Sequence, residues 1–183
     1  MQVRWLIPLG TAAAATAQVA YATQYLSVEQ AQKAAFPTAS EFNKVPQAAR
    51  APELAKKIGA PVDWTPQIFQ VRGPRDAAGH FDVIGYFYVD QVIGKSELIT
   101  YSVAIDANDK IVALEVLDYR ESHGSEIRLP GWRKQFLGKD TRHIDDLRDV
   151  KIISGATLSC RHVTAAVQRV MRLHEFIVEN NRG

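Results

Sequence analysis

Residues 98–105 read Leu-Ile-Thr-Tyr-Ser-Val-Ala-Ile and carry the clearest strand pattern in the chain. Every second position is large and apolar, namely Ile99, Tyr101, Val103 and Ile105. Because successive side chains of a strand point to opposite faces, these four share one face, and Thr100 and Ser102 lie on the other. The pattern therefore predicts a strand of an antiparallel sheet with one packed face.

Further strands are predicted around this segment. Three segments dense in β-branched and aromatic residues are predicted to be strands: 68–71, 81–92 and 111–119. Gly79-His80 and residues 107–110 have the small and polar residues that are typical of hairpin turns. We therefore expect neighbouring strands to pair antiparallel.

Helical patterns lie on both sides of the strands. Short helices are predicted over 27–36, 51–58, 130–137 and 143–148. Ser27, with Gln30 three positions later, is a candidate N-cap of the first helix. The last helix has the strongest pattern, with apolar residues at a three-to-four spacing: Val163, Ala166, Val167, Val170, Leu173 and Ile177. These elements predict an α+β fold, an antiparallel β-sheet with helices packed on one face.

Composition excludes some classes of function. The chain has 22 Lys and Arg against 20 Asp and Glu, a net charge of +2 that is spread along its 183 residues. This charge is too small to indicate nucleic acid or an anionic membrane surface as a partner. Cys160 is the only cysteine, so no intrachain disulfide can form. We expect it to be a small, half-buried helix residue, and an exposed thiol that dimerises the protein is the alternative.

The first 22 residues differ from the rest of the chain. Arg4 carries their only side-chain charge, and an apolar, alanine-rich run extends from Trp5 to Ala20. The segment Ala20-Tyr21-Ala22 has small residues where signal peptidase requires them, which predicts a signal peptide with the mature chain starting at Thr23. A retained membrane anchor is the alternative, although the run is short and weakly apolar for a span.

A short apolar strand is predicted before the last helix, and the turn between them reads Ser154-Gly155-Ala156-Thr157-Leu158-Ser159. The first N–H groups of a helix have no intrahelical partner and carry partial positive charge, so they suit a phosphate. The hydroxyls of Thr157 and Ser159 add to that site. Ordinary N-capping by Ser154 or Thr157 explains the same residues, and spacing alone favours it.

The turn resembles the flavinylation motif of the FMN-binding domain family. That family includes peripheral flavoprotein subunits of the Rnf complex and of the sodium-pumping NADH:quinone reductase. In such relatives the threonine that matches Thr157 is joined to FMN through a phosphoester, made by a separate flavin transferase that uses FAD and Mg²⁺. The resemblance implies FMN as the cofactor, with these residues around it: Ser154, Gly155, Ala156, Leu158 and Ser159.

A second block of residues agrees with this resemblance, which covers roughly residues 80–178. Glu121-Ser122-His123-Gly124 resembles the loop that follows the last strand in the family, although Rnf-type subunits usually have Thr-Pro in place of Ser122-His123. The family's W-x-x-Q-F-x-G-K pattern follows as Trp132, Gln135, Phe136, Gly138 and Lys139.

The resemblance implies roles for the residues of this block. Glu121 and Ser122 are expected at the edge of the flavin ring, Trp132 or Phe136 against its face, and Lys139 near a flavin anion or phosphate. Burial of both aromatic residues in the core and a solvated Lys139 are the alternatives. The predicted organisation is a signal peptide over 1–22, an N-terminal helical segment over 23–65 and an FMN-binding domain over 66–183.

Other kinds of site are missing from the sequence. It contains no glycine motif for a dinucleotide, no P-loop, no haem-attachment motif and no zinc-ligand spacing, so neither catalytic nor metal-binding residues are predicted. We predict an exported flavoprotein, periplasmic or otherwise extracytoplasmic, that exchanges electrons with membrane or periplasmic redox partners. A non-redox binding module on the same fold and a flavin reductase with its own substrate are the alternatives.

Overall fold

The fold is described by a computed structural model that covers residues 23–46, 52–61 and 64–181. The predicted signal peptide lies outside the described residues. The strands are β1 (Thr23–Gln24), β2 (Glu41–Lys44), β3 (Gln67–Arg75), β4 (Phe81–Ile93), β5 (Leu98–Asp106) and β6 (Ile111–Tyr119). The helices are α1 (Val28–Ala35), α2 (Pro52–Ile58), α3 (Pro130–Arg133) and α4 (Thr157–Asn181). Shorter 3₁₀ helices span Ser125–Arg128, Lys134–Phe136 and Ile144–Asp149.

All of these strands belong to one antiparallel sheet, in the order β1-β6-β5-β4-β3-β2. Strands β3 to β6 pair with their sequence neighbours, and β4 pairs with β5 from Gly85 opposite Asp106 to Ile93 opposite Leu98. The predicted strands and the hairpin turns at 79–80 and 107–110 are confirmed. The α+β prediction is confirmed as well.

Helix α4 covers one face of the sheet. All six residues that its pattern assigned to the core are buried: Val163, Ala166, Val167, Val170, Leu173 and Ile177. A polar contact also joins α4 to the sheet, because the buried His174 lies between the Tyr88 hydroxyl (2.8 Å from Nδ1) and the Asp109 carboxylate (3.2 Å from Nε2). A carboxylate only accepts, so Nε2 of His174 donates to Asp109.

The opposite face of the sheet is covered too, and the prediction of a single packed face is wrong. A second cluster of buried apolar residues joins α1 to that face: Ala31, Phe36, Val71, Phe87, Val89, Ala104 and Leu117. Phe87 and Val89 alternate along β4 with Tyr86 and Tyr88, which belong to the α4 side. The small Ala104 and the short α1 make this second layer thin, so the strand pattern of β5 alone does not reveal it.

The N-terminal segment 23–65 was predicted to be helical, and it contains strands as well. Helix α1 begins as predicted, since the Ser27 hydroxyl accepts from Gln30 N–H (3.2 Å) and the Gln30 side chain accepts from Ser27 N–H (2.8 Å). Strands β1 and β2 were not predicted, and they pair with β6 and β3 at the two edges of the sheet. Strands of two and four residues are too short to show a period of two. The boundary at residue 65 stays a prediction.

The segment between β6 and α4 has little regular structure beyond short helical turns. The helix predicted over 130–137 is α3 followed by a 3₁₀ turn, and the one over 143–148 is the 3₁₀ helix Ile144–Asp149. Among the described residues, no helix has both the length and the apolar character that crossing a membrane requires.

Candidate functional site

Three loops meet in a cleft of about 720 Å³ at one end of the sheet. They are the β4–β5 turn, the loop that follows β6 and the turn that opens α4. We call this space the cofactor cleft, and its lining is Lys95, Ser96, Glu97, Arg120, Glu121, Ser122, His123, Gly155, Ala156, Thr157, Leu158 and Ser159. The structure therefore brings Glu121 and Ser122 together with residues 155–159 of the turn.

The turn that opens α4 has the geometry of a helix N-terminus reached through a tight bend. Gly155 has φ of +87°, a left-handed conformation that favours glycine. The first bond of the helix runs from Cys160 N–H to the Ala156 carbonyl (2.9 Å), so Thr157 is the first helical residue. The predicted strand before this turn is wrong, because residues 151–153 are extended without a sheet partner. Cys160 is buried more completely than expected, at 1% exposure.

The backbone N–H groups of Thr157, Leu158 and Ser159 precede the first helical bond and have no intrahelical acceptor. They lie in the lining of the cofactor cleft, where the helix dipole also favours negative charge. This donor set fits a phosphate. The cleft is within the size range of cofactor pockets, so it has room for a ring system next to that phosphate.

The three hydroxyls of the turn differ in their surroundings. Ser154 is exposed and lies outside the lining of the cleft. Ser159 is buried, and its Oγ lies 3.0 Å from the Tyr119 hydroxyl. Thr157 is partly buried and lines the cleft. Thr157 therefore lines the cleft, and its hydroxyl has no hydrogen-bond partner within the described chain.

Tyr119, the last residue of β6, joins two walls of the cleft. Its hydroxyl donates to the His123 carbonyl (2.5 Å), so the single proton of Tyr119 is used and Ser159 donates to the tyrosine oxygen. Gly124 passes over this contact with φ of +89°, and a Cβ there would lie 2.7 Å from the Tyr119 hydroxyl. These contacts hold the loop after β6 against the first turn of α4.

Glu121 holds the third wall in place. Its Oε1 accepts from the backbone N–H groups of Ser96 (2.5 Å) and Glu97 (2.9 Å) in the β4–β5 turn. Burial raises the pKa of Glu121, but these backbone donors and the nearby Lys95 outweigh burial, so the pKa lies below its ordinary value. Glu121 is thus an ionised acceptor at the cleft, as predicted, and one of its oxygens already binds the protein backbone.

The remaining polar residues of the cleft are accessible. The exposed Ser122 hydroxyl lies 2.9 Å from Nδ1 of His123, which is also exposed. Lys95 and Arg120 are the cations of the lining within the described chain, and Arg120 pairs with Asp118 at 2.9 Å. Positive charge near the helix N-terminus therefore comes from Lys95 and Arg120, which the sequence did not single out.

Trp132, Phe136 and Lys139 lie outside the lining of the cofactor cleft. Trp132 and Phe136 are buried in the core with their rings 5.0 Å apart, which agrees with the alternative of core burial. The Lys139 carbonyl accepts from Ile111 N–H, at the end of β6 that is far from the cleft. A nine-residue strand spans roughly 30 Å, so the lysine was assigned to the wrong end of the sheet.

Several residues that shape the cleft were missed by sequence reasoning. Tyr119 ends a strand and looks like any other strand tyrosine. His162 lies in the first turns of α4, and its Nδ1 donates to the carbonyls of Ile93 (2.8 Å) and Gly94 (2.7 Å). Its partners are 68 and 69 positions earlier in the chain, so no local pattern connects them.

Comparisons with known proteins agree with this site. Residues 94–172 match the FMN-binding domain family, and no curated protein is significantly similar to the chain. The matched residues begin at the β4–β5 turn and include all three loops that line the cofactor cleft. Family membership implies FMN binding and flavin-linked electron transfer. Residues 94–172 therefore form an FMN-binding domain.

Proposed function

We propose that FMN is attached to Thr157 through a phosphoester and that the protein transfers electrons outside the cytoplasm. One observation supports the attachment site above all others. Thr157 lines the cleft at the helix N-terminus, whereas the hydroxyl of Ser159 is hydrogen-bonded to Tyr119 and Ser154 lies outside the lining.

The residues of the chain have separate tasks in this proposal. The free N–H groups at the start of α4 hold the phosphate. Glu121 and Tyr119 keep the three walls at fixed distances, so that the ring binds in a preformed space. When bound, flavin supplies one- and two-electron redox chemistry, and the protein supplies position and electrostatics.

Attachment requires a second protein. No hydrogen bond joins the Thr157 hydroxyl to a basic side chain in the described parts of the chain, so the hydroxyl is not activated as a nucleophile here. We propose that a flavin transferase with Mg²⁺ directs this oxygen to the flavin-side phosphorus of FAD. The new O–P bond forms, the pyrophosphate bond breaks, AMP leaves and the threonine proton is released.

The experiment is coexpression of Thr157→Val with a flavin transferase, followed by intact-mass measurement and in-gel flavin fluorescence. Valine keeps the branched shape but removes the hydroxyl. We expect no mass gain from FMN, whereas Ser154→Ala and Ser159→Ala retain covalent flavin. Full flavinylation of a folded Thr157→Val protein would exclude Thr157 as the site. An unmodified wild type would exclude covalent attachment altogether.

Export is proposed from residues 1–22 alone. An exported carrier gains from a covalent bond, because a dissociated FMN is not replaced from cytoplasmic pools. We expect N-terminal sequencing of periplasmic protein to begin at Thr23. An uncleaved chain in the membrane fraction would instead indicate an anchor. In either location the proposed partners are membrane or periplasmic redox proteins.

A further inference from the structure

A second cleft, of about 690 Å³, borders the cofactor cleft. The β4–β5 turn separates the two, because Ile93 and Leu98 line the second cleft and residues 95–97 line the cofactor cleft. The walls of the second cleft come from β4, from α4 and from the segment before β3. Its principal residues are Trp64, Asp90, Val92, Ile93, His162 and Arg169.

Arg169 is the unusual residue of this cleft. Its side chain is partly buried, and its Nε is fully buried without a hydrogen-bond partner in the described chain. No carboxylate of the described residues lies within ion-pair distance of its guanidinium. Because a buried donor without an acceptor is costly, an arginine in this state indicates an acceptor that binds from outside the chain.

Asp90 lines the same cleft, and both of its carboxylate oxygens are already hydrogen-bonded. Trp64 Nε1 donates to its Oδ1 (2.8 Å), and the Tyr101 hydroxyl donates to its Oδ2 (2.6 Å). Burial raises the pKa of Asp90, and the hydrogen bonds and the charge of Arg169 only partly oppose this effect. Asp90 is therefore a fixed, buried acceptor whose two oxygens are hydrogen-bonded to Trp64 and Tyr101, and no hydrogen bond among the described residues joins it to Arg169.

The surroundings limit the chemistry of this acceptor. Val92, Ile93 and Leu98 provide apolar surface, and Ile93 is 59% exposed. A planar guanidinium matches a carboxylate in a two-point contact. A doubly charged phosphate would be repelled by Asp90 when that carboxylate is ionised, with a single arginine to compensate.

We propose that the second cleft binds a small monocarboxylate with an apolar body, and that its carboxylate pairs with Arg169. Such a ligand contacts the β4–β5 turn from one side, while the cofactor cleft uses the other. His162 holds the same turn through Ile93 and Gly94, so an occupant lies next to a wall of the cofactor cleft. The binding itself does not require flavin.

The test uses benzoate as the probe and benzamide as its uncharged counterpart of equal shape. Binding to the full chain is measured by calorimetry and by amide chemical-shift changes, with wild type and with the flavin-free Thr157→Val variant. We expect benzoate to bind at least about tenfold more tightly than benzamide, as a charge-assisted contact implies. The shift changes should centre on residues 90–93 and 162–169, in both proteins.

Arg169→Gln should remove the preference for benzoate, whereas Arg161→Gln, an exposed arginine on the same helix, should keep it. Arg169→Lys restores the charge and should recover part of the preference if Arg169→Gln is poorly folded. Equal binding of the two probes, no binding of benzoate, or a preference that survives Arg169→Gln would each overturn the proposal. Because the flavin-free Thr157→Val variant is tested in parallel, a failure of carboxylate binding can be told apart from a failure of the flavin proposal.

Discussion

The turn that opens α4 and the segment 132–139 both resemble the same family, but they contribute to the site in different ways. The turn lines the cleft directly, with residues 155–159. The segment 132–139 presents none of its side chains there. Instead Trp132 Nε1 donates to the Lys151 carbonyl (2.9 Å), and the Gln135 side chain accepts from Lys151 N–H (2.8 Å).

This difference shows how a motif can serve a cofactor site without touching it. Lys151 lies three residues before Ser154, so Trp132 and Gln135 fix the chain just before the turn that opens α4. The Trp132 ring packs on Phe136 in the core, which anchors the Trp132 donor and the neighbouring Gln135 acceptor. The sequence motifs of a family can therefore include residues that line a binding site and also residues that position the segment lining it.

The largest effect is expected from Trp132→Ala, which tests the positioning role. Loss of a buried tryptophan costs about 3–5 kcal/mol of unfolding free energy. It also frees Lys151, so flavinylation of the remaining folded protein should fall. Urea denaturation and intact mass measure the two effects, with Lys139→Ala as a control that should change neither. Normal stability of Trp132→Ala would show that the ring is not part of the core.

A smaller effect is expected from Tyr119→Phe, which tests the contact between two walls of the cleft. The change leaves the His123 carbonyl and the Ser159 hydroxyl without their partner, at a cost of about 1–3 kcal/mol. Amide exchange of residues 120–124 should become faster, while covalent flavin on Thr157 is retained.

Ser159→Ala provides the matched variant for this contact. Because both changes remove the same Tyr119–Ser159 hydrogen bond, their effects on unfolding free energy should be less than additive in the double variant. Additive effects and unchanged exchange would show that the Tyr119–Ser159 contact does not hold the walls together.

The smallest effect is expected from Glu121→Gln, about 1 kcal/mol of unfolding free energy at neutral pH. The folded pKa of Glu121 is lowered, so its contribution is present above the ordinary carboxyl pKa and is lost as pH falls through the folded value. Between about pH 5 and 3 the variant should therefore lose less stability than wild type. Urea denaturation across that range measures the difference, and parallel curves would contradict it.

Glu121→Gln also tests whether Glu121 lies next to the flavin ring or next to the phosphate. The covalent bond to Thr157 should remain while the flavin absorption spectrum shifts, because Glu121 supports the β4–β5 turn and not the start of α4. Loss of attachment with an unchanged spectrum would place the loop after β6 at the phosphate instead.

Local patterns were sufficient for the main elements of the fold and for the principal site residue. The 3–4 spacing of α4, the alternation in β5 and the Ser27 cap depend on neighbours within a few positions, and each was confirmed. Thr157 was singled out because the continuous segment 154–159 resembles the flavinylation motif of the family. Its place at the helix N-terminus follows from the order of residues alone.

Only the tertiary structure decided the surroundings of several residues whose local pattern allows more than one role. Ser159 and Thr157 are two positions apart, yet only the packing of Tyr119 on α4 separates a buried hydroxyl from one in the cleft. Trp132 was equally compatible with a ring contact and with the core. Arg169 and His162 acquire their surroundings from β4, more than 60 residues away. Contacts of this kind depend on how α4 lies across the sheet. Helical periodicity predicts which residues share a face of the helix, but it does not predict which residues of the sheet they contact.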